Sequence, residues 1–406
     1  MALVLWARVA KQWPQNLPAR TQLGQAAFRK GDFVVARQHF EVAASAPGAQ
    51  PRGWIQLALC CQKLGDDGGE AHALQQCLEA DPYDLLGLLL RGQFNERMGH
   101  EHKAAASFGA AVAVAPPLEQ LAPDLRPMVM HAMQFQEKYQ ARLGVFLDGY
   151  LAQQAQSSGL QASSRFKDSV DILLGRKRRY DSQPMRYFVP QVPAVEFFDR
   201  HHFPWLAAVE EATVAIRDEF LAILRNEHQG DFTPYIEYSP DQPLAQWAEL
   251  NHNPNWSAFH LVKDGLPVSE NAARCPKTMT AWARTPYPEQ VGRTPVLLFS
   301  LLKPRTHIPS HVGASNCRLL VHLPLIIPKG CRFRVGSQTR EWVPGQAWVF
   351  DDTIEHEAWN DSHELRVIMI FDTWNPFLSA EERIMITALN RGLSAFTDGS
   401  AQGYES

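Results

Sequence analysis

Five histidines fall within a short stretch of the C-terminal half of this chain: His307, His311, His322, His356 and His363. Two of them have settings that suit a metal. In His311-Val312-Gly313 a histidine closes a run of strand-forming residues at a tight turn. His356 follows within FDDTIEHEAWN, after the Pro344-Gly345 turn. In a rolled β-sandwich these two runs can meet at one mouth, where imidazole nitrogens suit iron, zinc or copper. The common non-haem iron site adds one carboxylate to two histidines. Here the position two after His311, where that carboxylate commonly sits, is Gly313. Two arrangements stay open. The metal rests on two histidines alone, or Asp351, Asp352 or Glu355 supplies the third ligand. Against both stands a plainer reading, in which the histidines only satisfy hydrogen bonds in a β core.

A second set of residues points to a bound anion. In CRLLVHLPLII, the two-residue period of a strand puts Arg318, Leu320 and His322 on one face. In LRVIMIFDTW, Arg366, Ile368 and Ile370 share a face. A guanidinium buried in an apolar strand is costly without an anion. A dicarboxylate would meet that need in bidentate fashion, and Ser300, in the middle of VLLFSLL, could add a hydroxyl donor. The competing partner for Arg366 is an internal carboxylate, Asp372 or Glu364.

The elements that must position these residues are short β runs. From about residue 295 they read PVLLFSLL, CRLLVHLPLII, CRFRVG, REW, AWVFDD and LRVIMIFDTW. Turns at Lys303-Pro304, Pro328-Lys329-Gly330, Pro344-Gly345 and Asn360-Asp361-Ser362 separate them, the pattern of an all-β sandwich or barrel. Upstream, AAVEEATVAIRDEFLAILR has helical spacing. Leu250 to Met279 is polar and aromatic without clear periodicity, and is expected to form a lid or substrate edge. Trp256, Phe259 and Lys263 are its candidate substrate-binding side chains, with loop packing the simpler role for each.

The N-terminal part repeats. Gly31, Gly65 and Gly99 are each 34 residues apart, and Pro47, Pro82 and Pro116 follow at nearly the same interval. Each unit reads helix, Gly turn, Ala-rich helix, Pro stop. Asp67-Gly68-Gly69 is expected to insert one residue in the middle unit. Over residues 17–118 this resembles the tetratricopeptide repeat, whose arrays present concave surfaces that often bind peptides. A helical scaffold that binds nothing is the alternative. Residues 127–157 read as one linking helix. Gly175 to Tyr180, GRKRRY, is taken as a solvated linker and not a nucleic-acid site, because no aromatic residues interleave its basic run.

Composition narrows the class. The 406 residues are 45% hydrophobic and 20% charged with a net charge of −4, which excludes a disordered chain and gives no general pull toward nucleic acid or anionic membrane. No run approaches the ~20 apolar residues of a membrane span, and MALVLWARVAKQW lacks a secretory cleavage pattern. Six scattered cysteines without a C-x-x-C pair fit a reducing compartment, so a cytoplasmic location is expected. The sequence leaves the oligomeric state open.

The passage FSLLKPRTHIPSHVGASNCRLLVHLPLII…FDDTIEHEAWNDSHELRVIMIFDTWNP resembles the aspartyl/asparaginyl β-hydroxylase family over residues 295–376, extending back to about 183. The resemblance implies a double-stranded β-helix (a cupin-like jelly roll) at 183–395, after repeats at 17–118 and a bridge at 119–182. It implies a dioxygenase using Fe(II), 2-oxoglutarate and O2 to hydroxylate an aspartyl or asparaginyl residue of a peptide or protein. His311 and His356 would be the iron ligands and, with Arg366, the catalytic set. Gly313 agrees with the family's missing carboxylate. Ser300, His322 and Arg366 would hold 2-oxoglutarate. Leu320 departs from the family's arginine at that position, and Arg318, on the same face, is the candidate substitute. The rival to an enzyme is a peptide-binding scaffold with a relic β domain.

Overall fold

A computed structural model describes residues 2–46, 51–226, 228, 230–289 and 294–397. They form two compact units, Met1–Leu174 and Gly175–Ser406.

The first unit is helical: α1 (Ala2–Gln12), α2 (Leu17–Arg29), α3 (Phe33–Ala44), α4 (Pro51–Leu64), α5 (Asp67–Ala80), α6 (Leu85–Arg97), α7 (Glu101–Val114), α8 (Arg126–Ser158) and α9 (Ser164–Leu173). The period of 34 is visible in the backbone. Gly31, Gly65 and Gly99 all have positive φ, the left-handed conformation in which glycine ends a helix without strain. Asp32 and Asp66 then cap α3 and α5, each accepting from a backbone N–H. Phe40, Leu74 and Phe108 are knobs at matching positions, all buried. They fill holes over Gly24, Ala58 and Gly92 of the preceding helix, and a Cβ at Gly24 or Gly92 would overlap the Phe40 or Phe108 ring.

The middle unit holds no insertion. The residue 34 after Ala36 is Glu70, which takes the buried position that Ala36 and Ala104 occupy in the other units. Its carboxylate is met by Arg97 at 2.7 Å and by the Gln62 amide at 3.2 Å. Gly69 makes room beside Asp66 and Cys61. The irregular composition thus reflects a buried carboxylate, paired with the exposed Arg97, at constant spacing. Pro47 lies outside the described residues. Of the expected bridge, 119–174 belongs to this helical unit: α8 packs its first half on α7, with Phe135 against Phe108 at 5.0 Å.

The second unit is a two-layered β structure with helices. The helices are α10 (Leu206–Glu211), α11 (Thr213–Arg225), α12 (Ser269–Arg274), α13 (Pro276–Trp282) and α14 (Ala380–Thr397). The strands are β1 (Thr233–Pro234), β2 (Trp256–Lys263), β3 (Leu266–Pro267), β4 (Leu297–Leu302), β5 (Thr306–His311), β6 (Arg318–Ile326), β7 (Cys331–Val335), β8 (Gln338–Glu341), β9 (Trp348–Phe350), β10 (His356–Asn360) and β11 (Arg366–Trp374). Among the described residues one sheet runs β1-β2-β4-β11-β6-β9, with β3 on β2, and the other runs β5-β10-β7-β8. From β4 onward successive strands cross between sheets, except for the β7–β8 hairpin, giving two interleaved four-strand layers. This is the double-stranded β-helix, a jelly roll.

The large sheet is covered on both faces, so its strands are nearly continuous apolar runs. Its outer face packs on α10, α11 and α13 through Phe220, Phe299, Val321 and Met369. Its inner face meets the small sheet through Leu298, Ile368, Ile308 and Phe333. The stretch expected as a lid is largely regular: Trp256–Lys263 is strand β2, held in register by β4. Its polar character had masked a strand that is buried over most of its length.

Candidate active site

His311 ends β5 and His356 begins β10, and the antiparallel register sets the two directly opposite. Their ring centroids are 4.1 Å apart. In each, Nδ1 lies close to the carbonyl two residues earlier: Pro309 O at 2.8 Å and Ile354 O at 3.0 Å. A carbonyl only accepts, so Nδ1 carries the proton and Nε2 keeps its lone pair. Neither Nε2 has a hydrogen-bond partner among the described residues. Burial pushes His311 well below its ordinary range, with His356 adding to the effect, and burial pushes His356 down to about 4. Both rings are therefore neutral at pH 7, as metal ligation requires.

The candidate third ligands are engaged elsewhere. Asp351 Oδ1 accepts from the Thr353 N–H and hydroxyl, an Asx-type turn, and Oδ2 accepts from Ser182. Glu355 pairs with Arg334 at 2.8 Å. Asp352 accepts from Arg318 at 3.2 Å, while its Oδ1 is buried without a partner. A Cβ at position 313 would overlap the Asp352 carboxylate, so Gly313 is required by this packing. Among the described residues no group of three or more His, Cys, Asp or Glu could hold a metal. The donor set fits a metal held by two imidazoles.

The histidines open onto a cavity of about 390 Å³ between the sheets. Arg366, the first residue of β11, reaches into it and is 1% exposed. No carboxylate pairs with it among the described residues, so the internal ion pair with Asp372 or Glu364 does not form. Its Nε is unpartnered, and its contacts to Ser300 Oγ and carbonyl are long, 3.4 and 3.5 Å. The Trp342 ring lies 5.2 Å away. Burial lowers its pKa to about 10, so it stays charged at pH 7. His322 lines the same cavity with an unpartnered Nδ1. The charged Arg366 thus lines one cavity with Ser300 and His322 and has no carboxylate partner, an arrangement that fits a bound anion.

Arg318 reaches the cavity from a different point than Arg366. It pairs with Trp374 at the far end of β11 from Arg366, eight residues or roughly 26 Å along the strand. One of its amino groups is held by Asp352. It lines the same cavity as Arg366, and its Nη1 is buried without a partner, so it keeps a donor free for an anion there. Leu320 itself lines the cavity.

The three substrate candidates separate by their place on β2, whose register shifts between His260 and Val262. Trp256 faces the cavity, stacked on Tyr235 at 4.0 Å, and its indole N–H donates to Ser300 Oγ at 3.1 Å. Lys263 stands at the cavity rim. Phe259 does not belong with them. It points to the opposite face of β2 and is fully buried against Phe232 and Phe299. Sequence reading missed Tyr235, Trp247 and Trp342, which line the cavity from segments without usable periodicity. A wider, more open hollow of about 1120 Å³ beside α14 includes none of these histidines.

Fold and site together define a jelly-roll protein with a paired-histidine cavity floored by an unpaired arginine. The family model for aspartyl/asparaginyl β-hydroxylase matches residues 210–376. Human aspartyl/asparaginyl β-hydroxylase is 37% identical over 177 residues, 43% of this chain and 21% of that protein. The ornithine lipid ester-linked acyl 2-hydroxylase of Rhizobium tropici is 31% identical over 211 residues, 51% of this chain and 70% of that protein. The chain belongs to the aspartyl/asparaginyl β-hydroxylase family. It spans only about a fifth of the length of the human relative. Among solved structures, the Arabidopsis OM64 TPR domain aligns with 30% of this chain and 95% of its own at 17% identity and a TM-score of 0.26.

Proposed function

We propose that this protein is an Fe(II)- and 2-oxoglutarate-dependent dioxygenase that hydroxylates an aspartyl or asparaginyl residue of a peptide or protein. The observation that carries the reading is the single cavity shared by two neutral, Nε2-directed histidines and a buried arginine without a carboxylate. When bound, Fe(II) and 2-oxoglutarate would supply oxidative decarboxylation coupled to insertion of oxygen into a C–H bond. The chain's own residues then have distinct roles. His311 and His356 present Nε2 to the metal, with orientation set by their Nδ1–H bonds. Arg366, with Ser300, receives the distal carboxylate of 2-oxoglutarate, and His322 adds a donor. Trp256 fixes the Ser300 hydroxyl by donating to it, so that oxygen's own proton is free for the carboxylate. Tyr235, Trp247 and Trp256 exclude water from the mouth.

A second substrate class has its own support. The cavity wall between the histidines and Arg366 is aliphatic, built from Leu298, Ile308, Leu320, Ile368 and Ile370. A relative whose name specifies an ester-linked acyl chain shares half of this chain. An acyl substrate is therefore the alternative within the same chemistry. The test is mass spectrometry of peptide and lipid pools incubated with the protein. One added oxygen that requires Fe(II), O2 and 2-oxoglutarate, and that vanishes in His356→Ala, is expected. Folded protein that converts no pool and consumes no 2-oxoglutarate would leave a peptide-binding scaffold as the better reading.

A further inference from the structure

The segment Tyr238–Asn251 is a loop fastened at both its base and its tip. At the base, Asn251 Oδ1 accepts from the Tyr238 N–H at 2.7 Å and Asn251 Nδ2 donates to the Tyr238 carbonyl at 3.2 Å. The His252 N–H donates to the Ile236 carbonyl at 2.8 Å. The tip is a single 3₁₀ turn, Ala245–Trp247. Ala245 has φ +45°, a conformation that a residue with a Cβ adopts only when its surroundings hold it there.

What holds it is the next residue. Gln246 Nε2 donates to the Val312 carbonyl at 2.9 Å, and Gln246 Oε1 accepts from the Val312 N–H at 3.1 Å. One side-chain amide thus satisfies both backbone groups of one residue, as a neighbouring strand would, at the point where β5 ends. Val312 directly follows His311. The adjacent Trp247 ring lies 5.1 Å from the His311 ring, and Trp256 lies 6.0 Å from it on the other strand. The loop and its flank also supply Tyr235, Ile236 and Glu237 to the cavity lining.

We propose that Gln246 is a positioning residue, a latch that keeps this loop closed over the cavity and seats Trp247 against His311. The latch follows from the hydrogen bonds alone. Its consequence for the metal rests on the reading of His311 as a ligand. Latched, the loop walls the imidazole and restricts its rotation. Released, it lets water and substrate reach the cavity from that side, the gating role of many active-site loops.

The first arm of the test uses the metal-free full-length protein. In Gln246→Ala, hydrogen exchange should accelerate in peptides covering 239–250 and 312–316, and acrylamide should quench Trp247 more readily, measured as the difference from Trp247→Phe. The global melting transition should stay in place. Gln246→Glu, which still accepts from the Val312 N–H but cannot donate to its carbonyl, should fall between. Unchanged exchange in both segments would overturn the latch. The second arm is Co(II) titration followed by visible absorption. Gln246→Ala should bind about tenfold more weakly, with an altered band. Wild type that gives no band would sink the metal reading and leave the latch standing. A variant with an open loop but wild-type affinity and band would overturn the positioning role while leaving the metal reading intact.

Discussion

Arg366 concentrates the residue-level argument. A buried guanidinium with one unpartnered nitrogen and two long contacts is destabilising until an anion arrives. Arg366→Met should leave the fold intact or stiffen it, and should lower 2-oxoglutarate affinity on the order of 100-fold, the loss of a charged bidentate contact. Calorimetric titration in Mn(II)-loaded protein checks the affinity, and thermal denaturation checks the fold. The opposite change is Leu320→Arg, which returns the arginine the family carries and should tighten 2-oxoglutarate about tenfold. His260 supplies a pH test without any ligand. Burial, and then Lys263, push it down to about 4, and its Nδ1 has no partner. An unfolded imidazole protonates near pH 6.5. As pH falls from about 6.5 toward about 4, the unfolded chain gains a proton that the fold refuses, so stability is lost across that window. The loss should be about 2 kcal/mol at about pH 5. The drop in melting temperature between about pH 7.5 and pH 5 should therefore shrink in His260→Leu. Of this site, residue type and strand parity raised His311, His356 and Arg366 as candidates, and the family resemblance was needed to group them with Ser300 and His322. Phe259 was misplaced because its strand was taken for a loop, and parity has meaning only on a strand. Trp247 and Gln246 were invisible because their roles depend on a loop closing onto a strand far away in sequence.

At the level of elements, glycines mark where helices and strands approach too closely for a side chain. Gly92 lies under the Phe108 ring as Gly24 lies under Phe40. The middle unit shows the permitted alternative, Ala58 under the smaller Leu74. Gly92→Ala should therefore cost about 1–3 kcal/mol by overpacking. Phe108→Leu added to it should recover much of that loss, because the pair then copies the middle unit. A double-mutant cycle on denaturant midpoints measures the coupling. Gly313 obeys the same rule in the other unit. Gly313→Asp, which would create the conventional third ligand, should destabilise the β domain because Asp352 occupies the space. Gly313→Asp with Asp352→Ala should fold better than Gly313→Asp alone, as thermal denaturation would show. The 34-residue period was readable from glycine and proline spacing. Asp67-Gly68-Gly69 was read as an insertion because Glu70, a carboxylate at a small-residue position, hides the constant spacing, and only its Arg97 partner explains it.

For the whole molecule, the question is what each unit contributes. Every side chain assigned to metal, dicarboxylate or cavity wall lies in Gly175–Ser406, and that unit has its own two-faced core. Nothing in the first unit is needed to complete the paired histidines or the Arg366 pocket. The β unit produced alone should therefore bind 2-oxoglutarate with Mn(II) within about twofold of the full chain, because the same contacts remain. The helical unit is a repeat of helix pairs, an architecture whose arrays can present a concave surface. If it recruits the substrate, its removal should raise KM for a long protein substrate and leave KM for a short peptide spanning only the modified residue unchanged. Linked binding sites raise effective concentration only when both are engaged, and a short peptide engages one. Equal KM changes for both substrates would show that the repeats act on the fold of the β unit. No change for either would make them a scaffold that takes no part in substrate capture.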